Sequence, residues 1–396
     1  MFIIGKGTIT AIGDNTRENF DSLIQEQTGI RKIQRLDTIH QSEIPAAEVK
    51  YTNEELAAML ELNHTTTRTA LLSMKAASEA YNDAGLEKVK HLRSGFISAN
   101  SVGGMDKTED FIKFFLEDRS KGKLHDVVNH DCGASSEIVA AKLGIKDVVS
   151  TISTACSSSA NAIMYASRLI QNGVLDWAIA GGTDALSRFT LNGFNSLMIL
   201  DKEFCRPFDD SRKGLNLGEG AGYIVLASEE VVKFLGLNPK LILSGYANAN
   251  DAFHQTASSA DGVGNFMAMD GALRKANLKP EEIDYINLHG TGTSNNDSSE
   301  GKAIERLFLS KIPLVSSTKS FTGHTLGGCG GVEAVYSCLA IEEETIFANL
   351  RFQHKMQDLN ITPVTTTIRN KPIQHVLSNS FGFGGNCSSL IFSKID

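Results

Sequence analysis

A chain of 396 residues, 41% of them hydrophobic and 21% charged, can bury a large core and exceeds what one ordinary domain needs, so two domains or two similar halves are expected. Its formal net charge of −8 is spread over interspersed acids and bases without a basic tract, which excludes phosphate neutralisation as a basis for nucleic-acid binding. No apolar run reaches about 18 residues, and the apolar part of "MFIIGKGTITAIG" is too short and glycine-rich for a signal peptide, so a soluble, cytoplasmic protein with no membrane partner is expected.

In chain order, "FIIGKG" and "SGFISAN" read as the first strands,. The stretch from Gly103 to Asp131 is surplus to the pattern and reads as an insertion that covers a site or builds a subunit contact,. "KDVVSTIS" supplies a β-branched strand, and the helix that follows carries Ile163, Met164, Leu169 and Ile170 and ends at Asn172-Gly173, where an αL cap is expected,. "DWAIAGG" and "AGYIVLAS" add two strands. "SEEVVKFLGLNPK" is a helical piece closed by Gly236 and Pro239, and it divides the chain into halves, 1–238 and 239–396,. The second half repeats the outline with "LILSGYA", "DYINLHG", "PLVSS" and "SSLIFSKI". Strands alternating with amphipathic stretches place the chain in the α/β class, and similar halves point to an internal duplication.

Six cysteines at 132, 156, 205, 329, 338 and 387 show neither CxxC pairing nor histidines at zinc-ligand spacing, so no metal site and no disulfide framework are expected,. Cys156 stands out. It lies on the turn between a strand and a helix start, where unsatisfied N–H groups favour the thiolate and are predicted to lower its pKa. Its neighbours Ala155, Ser157 and Ser158 are small and leave room for an approaching group. The competing reading is a small hydrophobe filling a crowded turn, and bases elsewhere decide between the two. His289 closes the strand "DYINLHG" and precedes a helix whose Asp297 and Glu300 have capping-box spacing; Lys319 and His324 follow the strand "PLVSS" in a glycine-rich loop,. Two histidines at strand ends lie where α/β proteins form their crevices. "LGEGAG", Leu217 to Gly222, leads into a strand and not a helix, so a dinucleotide loop is excluded,.

Together, "STACSSSANA", "RPFDDSRKGLNLGEGAG", "HGTGTSNND", "SSTKSFTGHTLGG" and "NSFGFGGNCSSLIF" resemble the β-ketoacyl-acyl carrier protein synthases of the elongating Cys-His-His type, over nearly the whole chain and in the family's motif order. The resemblance implies a thiolase-like α/β fold with duplicated halves in a five-layer α-β-α-β-α arrangement. It implies that Cys156 accepts the acyl group, that His289 and His324 are the catalytic histidines, and that Lys319 supports them. The backbone N–H groups of Cys156 and Phe383 would form an oxyanion hole, with Phe383 also a gate. Thr291 and Thr293 would bind the phosphopantetheine arm, and Glu333 would be a buried carboxylate beside the site.

The implied activity is that of a decarboxylating 3-oxoacyl synthase, extending an acyl chain by two carbons from malonyl-acyl carrier protein in fatty-acid, polyketide or polyene biosynthesis. No cofactor would be bound permanently, since phosphopantetheine arrives on the carrier protein. A homodimer is implied, or a heterodimer with a synthase-like subunit, and Arg68 and Arg206 lie near stretches that dock carrier protein in relatives. Ser101-Val102 and Met198 lie in stretches that border the acyl tunnel in relatives. The chain departs from the family with Asn386-Cys387 in place of Thr-Asn and Asn296-Asp297 in place of Gly-Asp. Two other readings stay open: a non-catalytic partner resembling a chain-length factor, which typically lacks the nucleophile, and a thiolase-like or initiating enzyme, which usually replaces one histidine.

Overall fold

The computed structural model describes residues 1–309 and 311–395. The first half supplies β1 (Phe2–Thr10), β2 (Ser94–Ala99), β3 (Val148–Ile152), β4 (Trp177–Asp184) and β5 (Gly220–Ala227). The second supplies β6 (Leu241–Asn250), β7 (Tyr285–Asn287), β8 (Leu314–Ser316), β9 (His375–Phe381) and β10 (Asn386–Lys394). All but β9 coincide with runs predicted as strands. The sequence pattern does not mark "HVLSNSF" because buried Ser378, Asn379 and Ser380 occupy it where apolar residues are expected.

The strands lie in the order β8-β7-β9-β10-β6-β1-β5-β4-β2-β3. The halves meet at β1 and β6 through two residue pairs, Phe2 with Ile242 and Ile3 with Leu241. Outward from this seam each half runs first, fifth, fourth, second, third strand, with antiparallel pairs near the seam and parallel pairs beyond it. The duplication is therefore one of topology.

Side chains alternate across each strand and so divide the core. Ile224 and Leu226 of β5, with Leu390 and Phe392 of β10, pack inward against α4 (Ser158–Gln171) and α7 (Cys329–Glu342), whose contacts include Ile163, Met164, Val332 and Val335. Tyr223 and Val225 point the other way, onto Leu71 and Met74 of α1 (Arg68–Asp83). Ile391 likewise faces Met269 of α5 (Val263–Ala276) and Ile304 of α6 (Ser294–Leu307). Helix, sheet, helix, sheet, helix is the expected five-layer order. A Cβ at Gly222 would collide with the Gly331–Val332 backbone, so that glycine of "LGEGAG" serves the close approach of α7 to β5,.

The insertion forms α2 (Met105–Glu117), a surface helix with no buried residue, and ends at α3 (Cys132–Leu143); Ile112, Phe114 and Leu116 of α2 are exposed, the last 78% so. No helix among the described residues is long and apolar enough to cross a membrane.

Candidate active site

The two central helices and the loops that precede them build the site. After β3 the chain reverses at Ala155, whose φ of 52° is left-handed and costs a residue with a Cβ about 1–2 kcal/mol,. The Ser158 hydroxyl caps the Thr154 N–H at 2.8 Å, and the Ser158 N–H donates to the Ala155 carbonyl at 3.1 Å, so the turn is fixed from both sides. Cys156 follows, 6% exposed, at the start of α4.

In the second half β7 delivers His289. The predicted capping box is not present there: Thr293 is the N-cap of α6, and Asp297 and Glu300 lie inside the helix, fully buried. Glu300 accepts the N–H groups of His289 (2.9 Å) and Gly290 (2.8 Å), while Asp297 accepts those of Phe208 (2.7 Å) and Gly292 (3.2 Å). Both carboxylates thus bind the loop that holds the histidine, because orphan loop amides face them in the interior.

β8 leads to Lys319 and His324. The His324 main chain is clamped on both sides, its N–H donating to Asn216 O at 2.8 Å and its carbonyl accepting from Gly218 at 3.0 Å. Its Nδ1 accepts the N–H of Leu326 at 3.0 Å. That bond fixes the tautomer: Nδ1 has no proton, so Nε2 carries it and is a donor.

Three groups from two halves meet. Cys156 Sγ and one ring nitrogen each of His289 and His324 lie within 4.8 Å of one another. The imidazoles are perpendicular, with centroids 5.4 Å apart. Such spacing also suits a metal ion, yet the protonated Nε2 of His324 has no lone pair to offer one. The Lys319 ammonium is buried beside the triad and ion-paired with Glu333.

Electrostatics set the protonation states. Burial, then Lys319 and His324, holds His289 well below the ordinary histidine range; burial and Lys319 bring His324 down to about 3. Both imidazoles are neutral at physiological pH. Burial opposes the Lys319 charge, but the Glu333 carboxylate outweighs it and holds that pKa above its ordinary value.

Cys156 departs from expectation. Burial pushes its thiol up to about 11, although Lys319 and the backbone N–H groups of Phe383 and of Cys156 itself pull the other way. The helix start that was predicted to lower the pKa is buried, and desolvation of the anion wins. The thiol of the free protein is therefore protonated near neutrality. Iodoacetamide alkylation of Cys156 is expected to quicken about tenfold per pH unit between pH 7 and 9. A rate plateau near pH 7, followed by mass spectrometry, would contradict the raised pKa.

Two cavities open on the thiol. One, of about 300 Å³, is lined by Cys156, His289, His324, Thr291, Thr293, Arg212, Met198 and Phe383. The other, of about 350 Å³, is almost wholly apolar and is lined by Cys156, Val102, Phe189, Phe194, Leu197, Leu326 and Phe383, with Ser101 at its wall. Phe383 stands between them, stacked on Phe194 with centroids 5.8 Å apart. Ser101 and Val102 border the apolar pocket, whereas Met198 lies in the other cavity. Glu333 is buried as expected. Phe194 and Leu326 had carried no signal in the sequence; each looks like an ordinary apolar helix or loop position.

The departures acquire physical content. Asn386 Oδ1 accepts from Ser157 Oγ (2.7 Å), Asn161 Nδ2 (2.8 Å) and Asn248 Nδ2 (2.7 Å), fastening the Phe383 turn to the start of α4 after Cys156. Cys387 is buried and donates to Asn265 Oδ1 at 3.1 Å. Asn296 Nδ2 donates to Asp297 Oδ1 at 3.1 Å. Arg68 is not a free surface charge: it is largely buried and bidentate to Glu219 at 2.6 and 2.7 Å. Arg206 is paired with Glu203 at 2.7 Å and Asp201 at 3.6 Å. The Arg68 charge is thus spent on Glu219 inside the fold, whereas Arg206 keeps a side chain 20% exposed beside the exposed Glu203.

Known proteins share this architecture. A family model described as the beta-ketoacyl synthase N-terminal domain matches residues 1–231, and one described as the C-terminal domain matches residues 241–353. The 3-oxoacyl-[acyl-carrier-protein] synthase 2 of Staphylococcus aureus (strain COL) is 32% identical over 409 residues, covering 100% of this chain and 98% of that protein. The structure described as the ishigamide ketosynthase/chain length factor superposes with a TM-score of 0.94 at 29% identity, covering 100% of this chain and 99% of that one. A ketosynthase in complex with its chain length factor, from Xenorhabdus doucetiae, gives 0.86 at 32% identity, covering 100% and 98%. With duplicated halves delivering a cysteine and two histidines to one hollow, this chain belongs to the β-ketoacyl synthase family and is a condensing enzyme of the acyltransferase class.

Proposed function

We propose that the protein extends acyl chains by two carbons through three steps at Cys156. The sulfur attacks the thioester carbonyl of an acyl-carrier protein, and the phosphopantetheine thiolate leaves with the proton. Malonyl-carrier protein then loses carbon dioxide. The electron pair of the broken C–C bond passes to the thioester oxygen as an enolate, held by N–H donation from the His324 Nε2 and from His289. The enolate carbon attacks the Cys156 thioester, the oxyanion is held by the N–H groups of Cys156 and Phe383, and collapse expels the Cys156 thiolate to give the 3-oxoacyl product.

The meeting of Sγ and two neutral imidazoles within 4.8 Å carries this proposal. Neutral imidazoles donate a hydrogen bond without first surrendering a charge, and Lys319 adds a fixed positive potential nearby, so no resident metal or cofactor is required. Thr291 and Thr293 line the cavity that suits a pantetheine arm, and the apolar pocket suits the acyl chain. A partner without a nucleophile of its own would have no use for this convergence. The experiment is mass spectrometry of the protein mixed with acyl- and malonyl-carrier protein in the cytoplasmic pH range: acylated Cys156 followed by a product two carbons longer is expected, and an unmodified cysteine overturns the proposal.

The protein acts as a dimer, with a second copy or with a synthase-like subunit such as the chain length factors that accompany the two solved ketosynthases. β3 is an edge strand whose residues are all only half-buried, and α2 carries exposed Ile112, Phe114 and Leu116. Edge strands and apolar patches of this kind are normally covered. The double variant Phe114→Glu/Leu116→Glu is expected to move the protein in sedimentation from about twice the 42.8 kDa chain mass to the monomer, at a cost of about 2 kcal/mol or more in association,. An unshifted dimer would place the interface elsewhere.

A further inference from the structure

Asp184 ends β4 fully buried, and among the described residues no lysine or arginine is ion-paired with it. Its carboxylate instead gathers neutral donors from two loops. The Ser101 N–H donates to both oxygens, at 3.1 and 3.0 Å; the Ser101 hydroxyl donates to Oδ2, and the Val102 N–H reaches Oδ1 at 3.4 Å. From the other side the Gly327 N–H donates to Oδ2 at 2.7 Å.

The two loops have different duties. Ser101 and Val102 form a wall of the apolar pocket. Gly327 follows Leu326, whose N–H fixes the His324 tautomer and whose φ of 52° is left-handed. The Gly327 carbonyl also accepts the Ser159 hydroxyl of the nucleophile helix. A strained Leu326 holds its conformation only because its neighbours over-determine it, and Asp184 supplies one side of that hold.

We propose that Asp184 is a positioning residue for His324: through the Leu326–Gly327 segment it keeps the Nε2–H donor aimed into the hollow, and through Ser101 it ties that aim to the wall of the acyl pocket. It touches no reacting atom. The inference rests on the proposed decarboxylation at His324. A carboxylate suits the task because its two oxygens accept several N–H groups at once, whereas an amide has one acceptor and turns an NH₂ toward donors.

The test compares two rates on the same protein: acylation of Cys156 by an acyl-carrier protein, read as a mass increment, and carbon dioxide release from malonyl-carrier protein by the acylated enzyme. In Asp184→Asn the ratio of carbon dioxide release to acylation is expected to fall at least about tenfold, because a misaimed donor harms the enolate and not the thioester exchange. Ser101→Ala, which removes one hydroxyl bond to the same carboxylate, is expected to lower the ratio about threefold and serves if the first variant does not fold. A ratio unchanged in the folded variants, with both rates falling in parallel, overturns the positioning role. Wild-type protein that is acylated but releases no carbon dioxide overturns the proposed function itself, and the inference with it.

Discussion

Cys156→Ala is expected to abolish chain extension, by at least about 10³-fold, while leaving the protein folded. The sulfur is the atom on which both cavities converge, and the nearest other thiol cannot replace it. Cys329 is buried behind the turn and donates its S–H to the Cys156 carbonyl at 3.1 Å, away from either cavity. Burial pushes its pKa far up, so it is a poorer nucleophile still. The turn itself does not depend on the thiol: Ala155, Ser157 and Ser158 make its hydrogen bonds, and the loss of one buried sulfur costs about 1 kcal/mol,. Intact-mass analysis after incubation with acyl-carrier protein should show no adduct, with a melting temperature shifted by only a few degrees. Chain extension retained by the variant would defeat the assignment.

The second large effect concerns one step and spares another. His324→Ala is expected to lower carbon dioxide release by about 10²–10³-fold, the usual loss when one preorganised donor to a developing oxyanion is removed. Acylation of Cys156 is expected to survive within about tenfold, since the oxyanion hole proposed for that step uses backbone N–H groups and not this imidazole. The loop should persist because its clamps, to Asn216 and Gly218, are main-chain bonds that alanine keeps. Truncation does orphan the buried Leu326 N–H, at about 1–3 kcal/mol,. Equal loss of both steps would mean that His324 acts on the nucleophile and not on the enolate.

What the sequence reveals and what it conceals divide along a physical line. Strands rich in valine and isoleucine, and the positions of Cys156, His289 and His324 at strand ends, follow from local pattern and motif order. β9 escapes because polar Ser378, Asn379 and Ser380 are buried in it; Asn379 is satisfied by tertiary partners, donating to Glu300 at 3.1 Å and accepting the Ser389 hydroxyl at 2.8 Å. The Cys156 pKa is misjudged in sign for a related reason. A helix start can be read from sequence, but the depth at which the fold buries it cannot. Arg68 looks like a surface cation until Glu219, 151 residues away, closes on it. The capping-box spacing of Asp297 and Glu300 misleads similarly, since the amides they bind belong to Phe208 and to the loop before the helix. The identical order of strands in the two halves is invisible in residue identities, because topology survives where side chains have diverged.

Nitrogen-15 spectra of the histidine side chains, recorded from pH 5 to 8 before and after alkylation of Cys156, test the convergence most directly. Expected are two imidazoles that stay neutral throughout, His324 protonated at Nε2, and resonances of both displaced once the sulfur is modified. An imidazole of either residue titrating near 6.5, or one indifferent to the modified sulfur, would contradict the account.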